Sequence, residues 1–148
     1  NYLIALALVV VVTSRNLRLF EAMKRQSDPR HKDRISTVKV LFEKEFRKEN
    51  YKLDAKSTAA QILKKQKGID KIIAKNAPAW PIEQIAPIDL ATLRLAIWEL
   101  LYKKNKEPYK AVIDEAVEIA KQFGSGSSAS FINGVLGSLV KSRPLTVN

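Results

Sequence analysis

The sequence predicts an all-α protein, and three observations carry that prediction. Apolar residues recur at helical spacing in several separate segments. No segment alternates with period two for long enough to suggest a sheet. The stretch Ile85 to Tyr102, IAPIDLATLRLAIWELLY, is apolar around most of its circumference, which marks a buried helix. With 148 residues and 46% hydrophobic content, the chain is long enough to bury one substantial core around that helix.

The N-terminal end is the least regular part. Tyr2 to Val12 carries no charge. It is shorter than the roughly 20 residues a bilayer span requires. It lacks a basic n-region, and Thr13-Ser14-Arg15 is a poor signal-cleavage site. Three readings fit: a fragment of a longer span, a membrane-anchoring end, or a start placed upstream of a true one at Met23. The last is preferred, because everything from Met23 onward reads as a complete domain. The expected organisation is an apolar extension over 1–22, a helical domain over 23–143 and a tail over 144–148. A membrane contact is expected only if residues 1–12 are native.

Lys24 to Arg34 is basic and contains Pro29, so its start should be extended, with a helix from about Asp33 to Glu49. Ile35, Val38, Leu41, Phe42 and Phe46 form its apolar stripe, with Lys39, Glu43, Lys44, Arg47 and Lys48 mostly outside. Asn50 to Asp54 reads as a loop. Asp54 or Ser57 can cap the next helix, whose inward residues are Ala59, Ala60, Ile62, Leu63, Ile69, Ile72 and Ile73. Gly68 interrupts it at a cost of about 1 kcal/mol relative to alanine, which places a break or kink there. Ala77 to Pro81 ends it, and a short helical turn follows at Pro81 to Ile85.

Pro87 suits the first turn of the central helix. Asp89 then falls where free N–H groups and the helix dipole favour a carboxylate. Lys103 to Pro108 is a polar turn, its lysines matched to the negative end of that helix. Tyr109 to Phe123 is a further helix with a wide apolar face, stopped by Gly124-Ser125-Gly126. Ser127 or Ser128 caps the last helix, which runs to about Lys141 before Pro144. Gly134 and Gly137, three apart, would let another helix approach closely.

Charge narrows the function. The net charge is +11, and Lys24 to Lys75 holds 16 Lys+Arg against 7 Asp+Glu. Such asymmetry suggests a polyanion, nucleic acid first, although a lysine-rich solvated surface also accounts for it. There is no cysteine and one histidine, His31, which excludes disulfide scaffolds, thiolate or multi-histidine metal sites and cysteine nucleophiles. The same composition is compatible with a reducing cytoplasm. No Gly-rich phosphate loop or nucleophile–base pair is present. No enzyme activity, cofactor or metal is expected.

Three blocks then stand in order: Pro87, Asp89, Leu93-Arg94-Leu95-Ala96 and Glu99-Leu100; Ile113, Glu115-Ala116, Ala120-Lys121 and Phe123; Phe131 and Asn133-Gly134-Val135-Leu136. Upstream stand Arg30-His31-Lys32-Asp33-Arg34, Ile69-Asp70, Ile72-Ile73 and Trp80. Over Arg30 to Lys141 this pattern resembles the NusB family of transcription antitermination factors. The resemblance implies an all-α bundle of two packed sub-bundles. It also implies binding of single-stranded boxA-like RNA of ribosomal RNA leaders, a small-subunit ribosomal protein partner (NusE) and a transcribing RNA polymerase complex in the cytoplasm. The chain departs from the family pattern in a shortened N-terminal half, in Asp114 for the usual Asn, and in a 124–128 loop without acidic residues.

With that resemblance, Arg30, Lys32 and Arg34 are the expected RNA contacts, because guanidinium groups grip phosphate and stack on unpaired bases. Tyr109 and Lys110, which open a helix and can be exposed together, and Phe131, which follows a Gly/Ser loop, are the further expected RNA contacts. Asp89, Arg94, Glu99, Glu115 and Asn133 are expected to be structural. Arg94 should pair with a carboxylate from another helix, Glu115 or Glu118 being candidates, and Asn133 should hydrogen-bond within the core. Two alternatives stand beside this reading: a NusB-like accessory domain of an rRNA cytosine methyltransferase, and a protein-binding helical module.

Overall fold

A buried arginine ties three helices together. Arg94 on α5 (Pro87–Leu101) donates from Nε and Nη2 to the two carboxylate oxygens of Asp70 at 2.9 and 3.0 Å, and from Nη1 to Glu45 Oε2 at 3.1 Å. Asp70 lies on α4 (Gln66–Asn76) and Glu45 near the end of α2 (Pro29–Phe46). Burial lowers the pKa of the guanidinium. The hydrogen bonds and charges of Asp70, then of Glu45, outweigh that and hold it above its ordinary value. A buried, paired arginine was expected. Its partners are not Glu115 or Glu118: the guanidinium fork is already filled from α4 and α2, and Glu118 instead pairs with Lys121 at 3.5 Å.

The structure, a computed structural model, describes residues 2–47 and 52–143, and side chains from Arg15 onward. The expected helix end at Glu49, the loop residues Asn50 and Tyr51, and Pro144 with the tail lie outside the described residues. Among the described residues every regular element is helical: α1 (Tyr2–Ser27), α2, α3 (Thr58–Lys64), α4, a 3-10 turn at Ile82–Gln84, α5, α6 (Tyr109–Phe123) and α7 (Ser128–Ser142). The chain forms two compact units, Asn1–Arg34 and Ile35–Asn148. No helix of the described residues is long and apolar enough to cross a membrane.

The first unit differs from expectation. Pro29 does not force an extended start; it is the first residue of α2, where its missing N–H removes no helical bond. Asp28 caps that helix, its Oδ1 accepting from the Arg30 backbone N–H at 2.9 Å. Residues 24–27 belong to α1.

In the second unit α5 is the central element expected of it. Every residue from Asp89 to Leu100 is buried. Leu93 and Ile97 pack in one cluster with Ile62, Ile69, Ile73, Ile119, Ile132 and Leu136. Each such side chain contributes about 1.5–3 kcal/mol by leaving water. Pro87 opens α5 after Ala86, which offers no capping side chain. Asp89 sits in the first turn but its buried Oδ1 accepts no hydrogen bond, so its match to the helix end is through the dipole alone. Glu99 is also buried, with Lys103 Nζ at 3.8 Å and Glu107 on the same ammonium at 3.3 Å.

The break expected at Gly68 falls earlier, at Lys65, which closes α3 and precedes α4. Gly68 lies within α4, and the Tyr102 hydroxyl is 2.9 Å from where a Cβ would stand. Ser57 rather than Asp54 caps α3, accepting from the Ala60 N–H at 3.2 Å. Among the described residues, α3 supplies seven helical residues and α4 eleven between α2 and the Trp80 loop.

Three glycines have opposite surroundings. A Cβ on Gly124 would overlap the Ser128 side chain and stand 2.7 Å from the Ala120 carbonyl. Ser128 is fully buried and its Oγ accepts from the Ser125 N–H at 2.9 Å, which closes the α6–α7 turn tightly. Gly134 and Gly137 have no atom within 4 Å of an added Cβ, so no helix approaches there. They share an open face of α7 with Asn133, which is exposed and not in the core as expected. The apolar face, Ile132, Val135, Leu136 and Leu139, points the other way.

Two stability measurements follow. Arg94→Ala should cost about 3 kcal/mol in denaturant unfolding, because it strands two carboxylates. Asp70→Asn should cost more than Glu45→Gln, whose side chain is 41% exposed against 22% for Asp70. Gly124→Ala should cost about 1–3 kcal/mol through overpacking. Gly134→Ala and Gly137→Ala should each stabilise by up to about 1 kcal/mol through helix propensity, and the opposite signs are read in the same unfolding assay.

Candidate nucleic-acid interface

The basic opening of α2 has two kinds of position. His31 and Arg34 are buried; Arg30, Lys32 and Asp33 are exposed. His31, Arg34, Val38 and Leu41 follow one another at three- and four-residue steps, so they occupy one stripe of the helix. That spacing was legible: the apolar stripe, carried back from Val38 by one and two turns, reaches Arg34 and His31. Of the three expected cationic contacts, Arg30 and Lys32 therefore face solvent and Arg34 does not.

Arg30 is partly occupied. Its Nε and Nη2 donate to the Asp28 carboxylate at 3.3 and 3.1 Å. These side-chain bonds, followed by the backbone bond from Arg30, hold the Asp28 carboxyl below its ordinary range. Because the folded pKa is depressed, the pairing is complete above the ordinary carboxylate range and is lost as pH falls through the lowered value. A phosphate approaching Arg30 must compete with this carboxylate.

Aromatic groups supply the second ingredient. Phe131, half-buried on α7, meets Trp80 edge to face, with centroids 6.3 Å apart and planes at 71°. Trp80 is half exposed, in the loop that follows α4. At the end of α6, exposed Phe123 carries Lys39 Nζ of α2 over its ring, 5.6 Å from the centroid, within cation–π range. The loop 124–127 connects the Phe123 end of α6 to the start of α7. Cations and ring faces beside a Gly/Ser loop are what a single-stranded nucleic acid uses, phosphate on the one and bases on the other.

Tyr109 and Lys110 stand apart from these pairs. They open α6 while Phe123 closes it, so about 20 Å of helix separates them. Tyr109 is half-buried against the core and Lys110 is exposed. The residues missed by sequence reasoning are Trp80, Lys39 and Phe123. Lys39 was legible as an outer-face residue and Phe123 as a helix end. Their contact joins positions 84 apart in sequence, which no local pattern reports. No group of three or more potential metal ligands occurs among the described residues.

Among the described residues the regular elements are all helical, and the second unit is organised on one buried helix, with exposed aromatics at Phe123 and Trp80. Comparison with known proteins gives that class a family. The NusB family model matches residues 16–141, starting upstream of the Arg30 boundary seen in the sequence. The transcription antitermination protein NusB of Chloroflexus aggregans is 39% identical over 136 residues, 78% of this chain and 89% of that protein. The Dehalococcoides mccartyi (strain CBDB1) protein of the same name is 39% identical over 130 residues, covering 88% and 90%. That of Herpetosiphon aurantiacus is 54% identical, but over a segment that spans only 51% of its length. A solved structure of T. maritima NusB superposes with a TM-score of 0.67 at 32% identity, covering 78% of this chain and 93% of that one. A chain in the structure called "Crystal Structure of a Plectonemic RNA Supercoil" superposes with a TM-score of 0.68 at 25% identity, covering 80% and 98%. The chain belongs to the NusB family.

Asp28→Asn should keep the α2 cap, since an Asn side-chain oxygen accepts the same N–H, while removing the carboxylate charge beside the Arg30 guanidinium. The expected result is tighter binding of a single-stranded RNA in a filter-binding or anisotropy titration, with unchanged helix content by circular dichroism.

Proposed function

We propose that this protein is an RNA-binding transcription antitermination factor without enzymatic activity. It binds single-stranded, boxA-like RNA from a ribosomal RNA leader, together with a small-subunit ribosomal protein of the NusE type, and acts on the transcribing RNA polymerase complex in the cytoplasm. The observation that carries this reading is the pairing of exposed cations with exposed rings, Lys39 over Phe123 above all, on a NusB-family fold.

Arg30 and Lys32 contact phosphates from the start of α2, and Arg34 adds its charge to the same helix from a buried position. Lys110 contacts phosphate at the far end of α6, with Tyr109 beside it. Phe131, backed by Trp80, offers a stacking surface for a base. A factor of this kind needs no metal or cofactor: its chemistry is charge neutralisation, stacking and presentation of the bound RNA.

The test is a salt titration of binding to a boxA-like RNA, with and without the ribosomal protein. Affinity should fall steeply with salt. Arg30→Glu/Lys32→Glu should weaken binding at low salt and flatten the log–log slope by about 1.4, for two lost contacts to a single strand. Binding that is absent or insensitive to salt, and not restored by the ribosomal protein, rejects the reading.

A further inference from the structure

Helix α1 leaves apolar side chains in water. Leu17, Leu19, Phe20 and Met23 are each more than half exposed. At 100° per residue they fall within about 160° of the helix circumference. Arg15, Arg18 and Arg25 lie outside that arc. Asn16 lies within the arc. Ser27 and Lys24 also lie within it, Lys24 about 20° inside the Leu17 edge, where a long stem can follow an apolar surface while the ammonium stays in water. From Arg15 to Ser27 the helix carries four basic residues against one acidic, Glu21.

An exposed apolar face beside an excess of Arg and Lys is the pattern of a helix that lies in the plane of a membrane interface. Two further observations favour lipid as the occupant. The same helix runs on toward the N-terminus through Tyr2–Val12, a stretch of sequence without a charged or strongly polar residue. A bilayer takes up such continuous apolar character, whereas a protein groove of ordinary length matches a shorter face. The basic residues complement anionic headgroups, each contributing attraction near the surface.

We propose that the Leu17–Leu19–Phe20–Met23 face of α1 binds the surface of an anionic lipid bilayer and tethers this protein there. The proposal is independent of RNA binding and goes beyond it.

The test is flotation of the full chain with phosphatidylglycerol/phosphatidylcholine vesicles and with phosphatidylcholine vesicles alone. Because the net charge of +11 alone attracts anionic vesicles, the decisive variant is Leu17→Gln/Phe20→Gln/Met23→Gln, which keeps every charge. The wild-type chain should float with the anionic vesicles, and the variant should lose about tenfold or more in partitioning. Its helix content and its binding to single-stranded RNA should be unchanged. Equal flotation of variant and wild type, or no flotation of wild type, overturns the proposal. So does a wild-type dimer that the variant converts to monomer without any vesicle binding, since the face would then belong to a second copy of the chain.

Discussion

The Arg94 ion pair is the constraint on which the second unit depends. A guanidinium removed from water is costly unless its donors are filled. Here Asp70 fills two of them in the forked geometry that suits a carboxylate, and Glu45 takes a third. That requirement sets the positions of α2 and α4 relative to α5 in a way apolar contact alone does not. Apolar packing tolerates rotation and sliding between similar surfaces; a two-pronged hydrogen bond does not. Holding the end of α2 in turn sets where Lys39 stands, and so whether it can lie over the Phe123 ring.

The α6–α7 turn is a second local constraint. Its length leaves no room for a side chain at Gly124, because Ser128 is folded back onto the turn and bonds to the Ser125 N–H. The result is that Phe123 at the end of one helix and Phe131 near the start of the next are both delivered to that turn. Phe131 keeps contact with the core while meeting the more exposed Trp80. Serine and glycine between Phe123 and Phe131 add hydrogen-bonding groups without competing charge.

Electrostatics at the start of α2 is moderated rather than maximised. Arg30 is bridged to Asp28, and two of the basic-cluster side chains, His31 and Arg34, are buried. The cluster that looks continuous in sequence is thus divided by helical geometry into an exposed part and a buried part. A carboxylate held beside a guanidinium lowers the net attraction of that spot for polyanions.

The sequence by itself determined the helical class, the central helix Pro87–Leu101, the limits of α6 and the family blocks, because these rest on local periodicity and on spacing within one or two helices. It also required a partner for Arg94, since a cation on an apolar helix cannot be left unpaired. Only the tertiary structure decided that Asp70 and Glu45 are that partner, that Arg34 is buried, that Asn133 faces solvent and that Lys39 lies over Phe123. It also settled that Gly68 serves Tyr102 while Gly134 and Gly137 serve no close contact. The reason is physical. Each of these outcomes depends on which groups from distant parts of the chain are brought within a few ångströms of one another, and that is set by packing of whole helices and not by any residue's neighbours in sequence.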